Sequence, residues 1–302
     1  MRNPTFSPMQ KQRGFTLVEL IMVIVIMGVI GGMVSVFMKS PIDAYFASGR
    51  RAALTDVADT VVRRMARDIQ RALPNSINTS GDKLCLEFIP TKTGGRYRAV
   101  DMTAVPGSSL AFGSADSTFY MLGDNASLPA DQQIKAVTGE YDVIAVSNMG
   151  FDVGDAYTGS NTAVLSGMAT VAPTVSPSEV NGTQTALTFG TVTFNIALAS
   201  PSNRFQVIPA KEKVVAYVCS NSNLYRIAST TLAHICPATV TSTLPSISSG
   251  AAMLARNATC TLNYSGSDLQ RNALISMVLN VTDATSGESV SLQHEVHVSN
   301  TP

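Results

Sequence analysis

The longest apolar segment of the chain lies near its N-terminus. Residues 20–38 carry no charged side chain, and a helix of that length is about 28 Å long at ~1.5 Å rise per residue. This length matches the hydrocarbon core of a bilayer, so the pattern predicts a transmembrane helix, which we assign to residues 15–39. One carboxylate, Glu19, lies immediately before residues 20–38 and inside the assigned helix. A carboxylate at membrane depth is costly and usually functional, so Glu19 is a candidate site residue.

A second helical pattern follows the apolar run. Between residues 54 and 73, apolar side chains recur at steps of three or four, with charged side chains mainly on the other faces. Pro41 removes one backbone hydrogen bond and is expected to bend or interrupt the helix, and Pro74 is expected to stop it. The pattern predicts an amphipathic helix over residues 40–74 whose apolar stripe packs against a sheet. Its charged face is either a solvated surface or a subunit contact.

From residue 75 onward the pattern changes to short strands separated by Gly, Ser, Asn and Pro. Segments such as "KLCLEFIP" and "KVVAYVCSNSNLYRIA" are typical of strands and hairpins, and "ISMVLNVTDATSGESVSLQHEVHV" predicts a terminal hairpin. The stretches 101–135 and 154–186 are rich in loop residues, and the second is compatible with a surface insertion. The sequence therefore predicts an α+β protein, with a long N-terminal helix packed on an antiparallel β-rich head over residues 75–302.

Composition narrows the class of protein. The chain has 21 acidic and 21 basic side chains, a net charge of zero. Proteins that bind nucleic acid usually carry a basic excess, so we predict no nucleic-acid partner. A low charge content of 14%, with many Ser, Thr, Ala, Asn and Gly residues, favours an extracytoplasmic β-rich protein over a cytosolic enzyme.

A secretory signal peptide is the main alternative for the N-terminal segment. Such a peptide has an apolar region of about 7 to 15 residues followed by a small-residue cleavage site. The run here is longer, and no convincing A-x-A site ends it. Basic residues before the run favour a cytoplasmic N-terminus, although Lys39, Arg50 and Arg51 reduce this asymmetry.

The junction "KQRGFTLVEL" resembles the prepilin processing signal of type IV pilins and type II secretion pseudopilins. In that family a short basic leader ending in Gly is removed by an inner-membrane peptidase on the cytoplasmic side. The new N-terminal residue, usually Phe, is then N-methylated. Carried onto this chain, the resemblance implies a leader of residues 1–14, cleavage between Gly14 and Phe15, and a match of Glu19 to the family's glutamate.

The chemistry of these residues agrees with that resemblance. Gly14 has no side chain, so the backbone before the scissile bond can lie extended in a peptidase cleft. Cleavage would expose a cationic amine at Phe15, which a carboxylate can neutralise at the edge of the apolar layer. In the family the glutamate is thought to meet the amine of a neighbouring subunit, which implies an assembly role for Glu19. A shallow glutamate that reaches the headgroups is the alternative.

The four cysteines, Cys85, Cys219, Cys236 and Cys260, form no C-x-x-C pair and have no histidines at metal-ligand spacing. An even number on the far side of a membrane favours disulfides, the alternative being buried free thiols in a reducing compartment. Three connectivities are possible. Pairing of Cys219 with Cys236 would close a local loop and leave Cys85 to pair with Cys260, and we favour that arrangement.

Further segments resemble a subgroup of the family. "RRMARDIQRALPNSI" is similar to the larger minor pilins and pseudopilins. "KLCLEFIP", "VAYVCSNSNLYRIA" and "VSLQHEVHVSNTP" resemble minor pseudopilins of mannose-sensitive haemagglutinin (MSHA) pilus systems, the MshO-like biogenesis proteins. The resemblance implies an inner-membrane, single-pass protein with a periplasmic head that later joins a pilus or the cell surface. Its implied partners are the prepilin peptidase and, through the N-terminal helix, other pilins or pseudopilins.

These features favour a structural subunit that takes part in filament assembly, at the tip or as an initiator because the head is large. The alternatives are a tip adhesin whose head binds a surface or glycan, and an enzyme tethered by a signal anchor. The enzyme lacks support, because the sequence has neither a G-x-x-x-x-G-K-[ST] phosphate loop nor a G-x-S-x-G nucleophile elbow. We therefore predict no catalytic residue and no cofactor.

Two segments resemble metal-binding sequences superficially. "HEVH", at residues 294–297, lies in a predicted strand, where residues three apart point to opposite faces, so its histidines are interpreted as structural. "GDNASLPAD", at residues 123–131, is rich in oxygen ligands but lacks the spacing of a known calcium loop, which favours a polar turn. His234 is isolated in the sequence. We predict no metal site.

Overall fold

The computed structural model describes residues 14–101, 107–171, 183–200, 202–240, 251–265 and 272–301. A single helix, α1, runs from Leu17 to Ile69 and is continuous through Pro41. It ends before Pro74, where the N–H groups of Arg71 and Ala72 bond to the carbonyls of Asp68 and Ile69, at 3.1 and 3.0 Å. These tighter i→i+3 bonds close the final turn. The chain divides into two compact units, Met1–Ala52 and Ala53–Pro302.

Sixteen β-strands follow α1 in the described part of the chain. In chain order they are β1 (Asn78–Thr79), β2 (Cys85–Phe88), β3 (Thr93–Arg96), β4 (Ala115–Met121), β5 (Ala136–Val137), β6 (Glu140–Tyr141), β7 (Val143–Val146), β8 (Thr162–Val171), β9 (Gln184–Thr193), β10 (Arg204–Ile208), β11 (Val214–Ser220), β12 (Asn223–Ser229), β13 (Ala252–Arg256), β14 (Ala258–Ser265), β15 (Asn272–Thr282) and β16 (Ser289–Ser299). Short 3₁₀ helices span Asn125–Ser127, Asp152–Gly154 and Ile196–Leu198.

Two antiparallel sheets pack on the C-terminal part of α1. Their strand orders are β1-β2-β11-β12-β13 and β14-β15-β16. The buried stripe of α1 consists of Ala58, Val61, Val62, Met65, Ala66 and Ile69. It shares one apolar core with residues of both sheets, including Leu86, Tyr217 and Ile275. We call residues 53–88 and 214–301 the platform. This arrangement confirms the predicted α+β fold, a long apolar helix packed on antiparallel β-structure.

The remaining large sheet is six-stranded, in the order β3-β10-β7-β8-β9-β4. Its two end strands meet, because Tyr97 forms a bridge with Met121 and the N–H of Leu122 donates to the carbonyl of Arg96 at 2.9 Å. The sheet therefore closes into a barrel. The chain enters the barrel after β2 and leaves it before β11, and these two strands are direct neighbours in the platform. We call residues 93–208 the inserted barrel.

Aromatic rings fill the interior of the inserted barrel. The ring of Phe119 packs on those of Tyr97, Phe189 and Phe205, with centroid distances of 6.4, 6.0 and 5.1 Å. All four side chains are buried. Edge-to-face packing of this kind stabilises a core beyond the burial of apolar area alone. The interior is thus a packed core.

The structure changes part of the strand prediction. The stretches 101–135 and 154–186, interpreted as loop-rich, contain β4, all of β8 and the start of β9. The residues of these strands on the outer surface of the barrel are polar, with many Ser and Thr among them. The alternation of apolar and polar positions is therefore hard to recognise in the sequence. Residues 172–182 lie outside the described part of the chain. The predicted terminal hairpin is confirmed, since β15 pairs with β16 and the N–H of Gly287 donates to the carbonyl of Asp283 at 2.9 Å.

Candidate functional site

The candidate site lies at the N-terminal end of α1. Gly14, Phe15 and Thr16 precede the helix as exposed, non-helical chain. The Phe15 side chain is 80% exposed, and a Cβ atom placed on Gly14 would meet nothing within 4 Å. The predicted scissile bond therefore lies in an accessible segment of the kind that a peptidase needs.

Thr16 caps the helix, a role that the sequence reasoning missed. The backbone N–H of Glu19 donates to the Thr16 hydroxyl at 3.3 Å. Thr-x-x-Glu is the capping-box pattern, in which the first residue accepts a bond from the N–H three positions later. The signal is present in "TLVE", where the surrounding apolar run obscures it. The cap fixes the start of α1 immediately after the predicted cleavage site.

Glu19 lies in the first helical turn. Negative charge is favourable there because the helix dipole is positive at its N-terminus. The Glu19 carboxylate makes no ion pair with any other residue in the described part of the chain. It is therefore available to pair with a cation of another molecule, such as a newly formed chain terminus.

The surface of α1 that follows Glu19 is apolar on all sides. Over the most apolar window of the helix, the mean hydropathy is 2.7 and no residue is buried. Large side chains from Leu17 to Met38 are exposed, among them Ile21, Val25 and Phe37. A helix that is hydrophobic all round needs lipid or other helices around it. By length and composition this is a candidate membrane span.

Comparison with known families identifies this segment. Residues 9–35 match the model described as the prokaryotic N-terminal methylation motif. The match includes Gly14, Phe15 and Glu19. No curated protein and no solved structure matches the chain significantly. The motif is that of prepilin-type proteins, and it supports a type IV pilin-like protein whose single N-terminal apolar helix fits a membrane anchor.

The four cysteines form two disulfides, but the favoured connectivity was wrong. Cys85 pairs with Cys236, and Cys219 pairs with Cys260, with Cα–Cα distances of 5.7 and 6.0 Å. Cys85 lies directly opposite Val218 across β2 and β11. Because successive residues of a strand face opposite ways, Cys219 points to the other side of the sheet, toward α1. Cys219 and Cys236 therefore lie on opposite faces and cannot meet.

His234, which the sequence left without a role, holds a loop onto the platform. Its Nδ1 bonds to the carboxylate of Glu87, a side chain buried on β2. The other Glu87 oxygen accepts the N–H groups of Ile235 and Cys236 at 2.6 and 2.7 Å. The ring of Tyr157 stacks on the imidazole with a centroid distance of 4.0 Å. Burial raises the pKa of the Tyr157 hydroxyl well above its ordinary value, so the hydroxyl stays neutral and donates to the carbonyl of Ser76 at 2.8 Å.

A second polar cluster fixes the end of α1. Arg226 on β12 pairs with Asp68 of the helix at 3.0 Å and with Glu212 at 2.8 Å. The Tyr217 hydroxyl donates to Asp68 at 2.7 Å. The guanidinium group lowers the pKa of Glu212, while burial raises the pKa of Tyr217. The cluster joins the helix to the strand that carries Cys219, and so has a structural role.

The two segments that resemble metal-binding sequences form ordinary structural elements. His294 and His297 lie on β16, where an odd spacing places them on opposite faces. In the segment 123–131, the Asp124 carboxylate accepts the N–H of Ala126 at 3.0 Å and caps a 3₁₀ helix. Within the described ranges, no group of three or more His, Cys, Asp or Glu side chains has a metal-binding arrangement.

Proposed function

We propose that the protein is a minor pilin or pseudopilin that takes part in assembly of a type IV pilus, of the MSHA type, or of a type II secretion pseudopilus. The observation that carries the proposal is the methylation motif at residues 9–35, continuous with an apolar helix that is exposed on all sides. The motif is characteristic of structural subunits rather than enzymes. The resemblance of short segments to MshO-like biogenesis proteins is the reason that the proposal names the MSHA system beside the secretion system.

The proposed mechanism begins with removal of residues 1–14 by the prepilin peptidase. The inner membrane holds the processed chain, with its head in the periplasm, until the helix packs among the helices of other subunits. The methylated Phe15 amine is the cation, and the Glu19 carboxylate is the anion. Pairing them between neighbouring subunits relieves the cost of leaving either charge alone in a low-dielectric layer, and it fixes the axial register.

A position at the tip, or as an initiator, follows from the architecture of the head. The platform already provides a helix packed on antiparallel sheets, and the inserted barrel adds residues 93–208 between two neighbouring strands. A subunit enlarged in this way would crowd its neighbours along a shaft, whereas the end of a filament leaves room. We therefore place it at the tip or in the priming complex.

Replacement of Glu19 tests the assembly mechanism. Glu19→Ala should be cleaved and inserted normally, because it leaves the Gly14–Phe15 bond intact, yet it should enter filaments poorly. The measurement is immunoblotting of sheared filaments against the membrane fraction. Asp59→Ala is the matched control, because it removes a carboxylate of α1 that already pairs with Arg63 of its own chain. Equal recovery of the Glu19→Ala and wild-type proteins in filaments would refute the pairing role.

A further inference from the structure

Three arginines lie together on the outer face of the inserted barrel. Arg96 on β3 is the direct cross-strand partner of Arg204 on β10. Arg98 follows two residues after Arg96, and its neighbour Tyr97 is buried in the barrel core. Alternation along an extended chain therefore places Arg96 and Arg98 on the same outward side. Gly95 points inward, where an added Cβ would lie 2.8 Å from the Phe205 ring.

These cations lack partners of opposite charge in the described part of the chain. Arg96 and Arg204 are exposed and have no carboxylate within ion-pair distance among those residues. Like charges placed directly opposite each other in a sheet are destabilising. Charged residues often protect a free sheet edge, and β3 is the end strand of the sheet, joined to β4 through the Tyr97–Met121 bridge and the bond from Leu122 to Arg96. The arginine pair therefore carries a repulsion that no carboxylate among the described residues relieves.

Arg98 supplies a second, independent observation. Its Nε donates to the neutral amide oxygen of Gln184 at 3.2 Å. Its Nη2 is buried and has no acceptor among the described residues. A buried guanidinium N–H without an acceptor is unfavourable, and native structures rarely leave one unsatisfied. Arg98 therefore adds to this face a third cation that has no carboxylate partner among the described residues.

A cavity lies beside the arginine pair. Gly94 is directly opposite Gln206, and a Cβ atom placed on Gly94 would lie 2.9 Å from the backbone oxygen of Phe205, so the close approach of the two strands requires glycine here. The cavity has a volume of about 330 Å³ and is lined by Gly94, Arg96, Leu122, Arg204 and Gln206, among others. Ligand pockets for small molecules begin at about 300 Å³. The space is sufficient for one small ring carrying a charged group.

Leu122 lines this cavity, and Tyr120 precedes it by two residues on the same stretch of chain. Leu122 is 43% exposed, and Tyr120 is half-buried. The segment 108–110 bonds to Arg98 through the N–H of Leu110 and to Tyr120 through the carbonyl of Ser108, so it joins these two residues. Tyrosine side chains combine an apolar ring surface with a polar tip. Such a surface suits a ligand that has C–H faces as well as an anionic group.

We propose that this outer face of the inserted barrel binds an acidic saccharide. A carboxylate of the sugar lies between Arg96 and Arg204, where a guanidinium group can bind it with two parallel hydrogen bonds. The sugar ring packs against Leu122 and Tyr120. This binding role goes beyond filament assembly and depends on the barrel alone, so its failure would leave the proposed function intact.

The observations favour a saccharide over two other anions. Nucleic-acid binding requires many phosphate contacts and usually a basic excess, whereas this chain has a net charge of zero. Inorganic phosphate or sulfate would occupy the arginine pair but leave Leu122 and Tyr120 without a role. Binding of nucleic acid and binding of inorganic phosphate or sulfate are therefore alternative outcomes of the test.

The experiment titrates the full chain, in a nonionic detergent, with trigalacturonate and with the neutral trisaccharide maltotriose. Trigalacturonate should bind and maltotriose should not. Arg96→Gln and Arg204→Gln should each weaken binding about tenfold or more, the usual effect of losing a charge-assisted hydrogen bond. Arg256→Gln is the matched control, since it removes an exposed arginine from β13 of the platform. Its affinity should equal that of the wild-type protein.

Thermal unfolding of the same variants separates binding from structure. Without ligand, Arg96→Gln should unfold at the same temperature as the wild type or higher, because the variant relieves repulsion between two cations. A lower unfolding temperature would show that Arg96 has a structural role and would overturn the proposal. The proposal is equally overturned if trigalacturonate does not bind. Binding of sulfate or of a single-stranded DNA oligonucleotide as tightly as trigalacturonate, lost in the same variants, would overturn the saccharide assignment.

Discussion

The observed disulfide pairing makes a quantitative prediction about stability. Cys219 and Cys260 are separated by 41 residues, and Cys85 and Cys236 by 151. In the chain-entropy model, closing loops of these lengths in the unfolded state contributes about 4 and about 5 kcal/mol at 25 °C. The double variant Cys219→Ala/Cys260→Ala should therefore lower the free energy of unfolding by about 4 kcal/mol. The loss is larger if neighbouring side chains do not fill the cavity that the removed sulfur atoms leave.

Urea unfolding of the full chain in detergent measures this loss. Far-UV circular dichroism is the appropriate signal, because the sequence has no Trp. The variant Cys219→Ala/Cys236→Ala serves as the comparison, because it removes one cysteine from each disulfide. It should titrate as two free thiols, since Cys85 and Cys260 lie on opposite sides of the platform sheet and cannot join. A loss below about 1 kcal/mol in the first variant would refute the entropic reasoning. An absence of free thiols in the second would refute the pairing.

Two further predictions concern glycines. Gly14→Val should accumulate as an uncleaved precursor, because a branched side chain obstructs the extended backbone before the scissile bond; mass spectrometry that finds the variant beginning at Phe15 would contradict this. Gly95→Ala should destabilise the barrel by about 1–3 kcal/mol, the usual cost of overpacking, because its Cβ would lie 2.8 Å from the Phe205 ring. Gly190→Ala, where nothing lies within 4 Å, is the control. Equal unfolding midpoints for the two alanine variants would show that the Phe205 ring does not exclude a side chain at residue 95.

The features that the sequence predicted correctly depend on local periodicity. The apolar run, the amphipathic stripe and the terminal hairpin are each encoded by neighbouring residues, so the α+β fold followed from them. Pro41 shows the limit of a local rule. A proline removes one hydrogen bond from a helix, at a cost of about 3 kcal/mol, but α1 has long helical segments on both sides of it. The helix therefore continues through Pro41.

The features that the sequence did not predict depend on register between distant segments. Cys85 and Cys219 lie on neighbouring strands, and only the pairing of Cys85 with Val218 shows that they face opposite ways. The contact between Glu87 and His234 also depends on tertiary structure, because it joins a strand of the platform sheet to a distant loop. A single sequence contains no signal for such pairings. Thr16 is different, since its capping pattern is visible in the sequence itself.

The inserted barrel is the feature with the most consequence for function. Strands β2 and β11 are antiparallel neighbours that a short turn could join. Instead, the chain builds a separate aromatic core before it returns, and the barrel contributes nothing to the core beneath α1. The proposed assembly role uses the N-terminal helix, whose residues lie outside the barrel. Arg96, Arg98 and Arg204, which have no carboxylate partner among the described residues, lie on the outer face of the barrel. The proposed saccharide site and the proposed assembly role therefore use different residues of the chain, and each can be tested without disturbing the other.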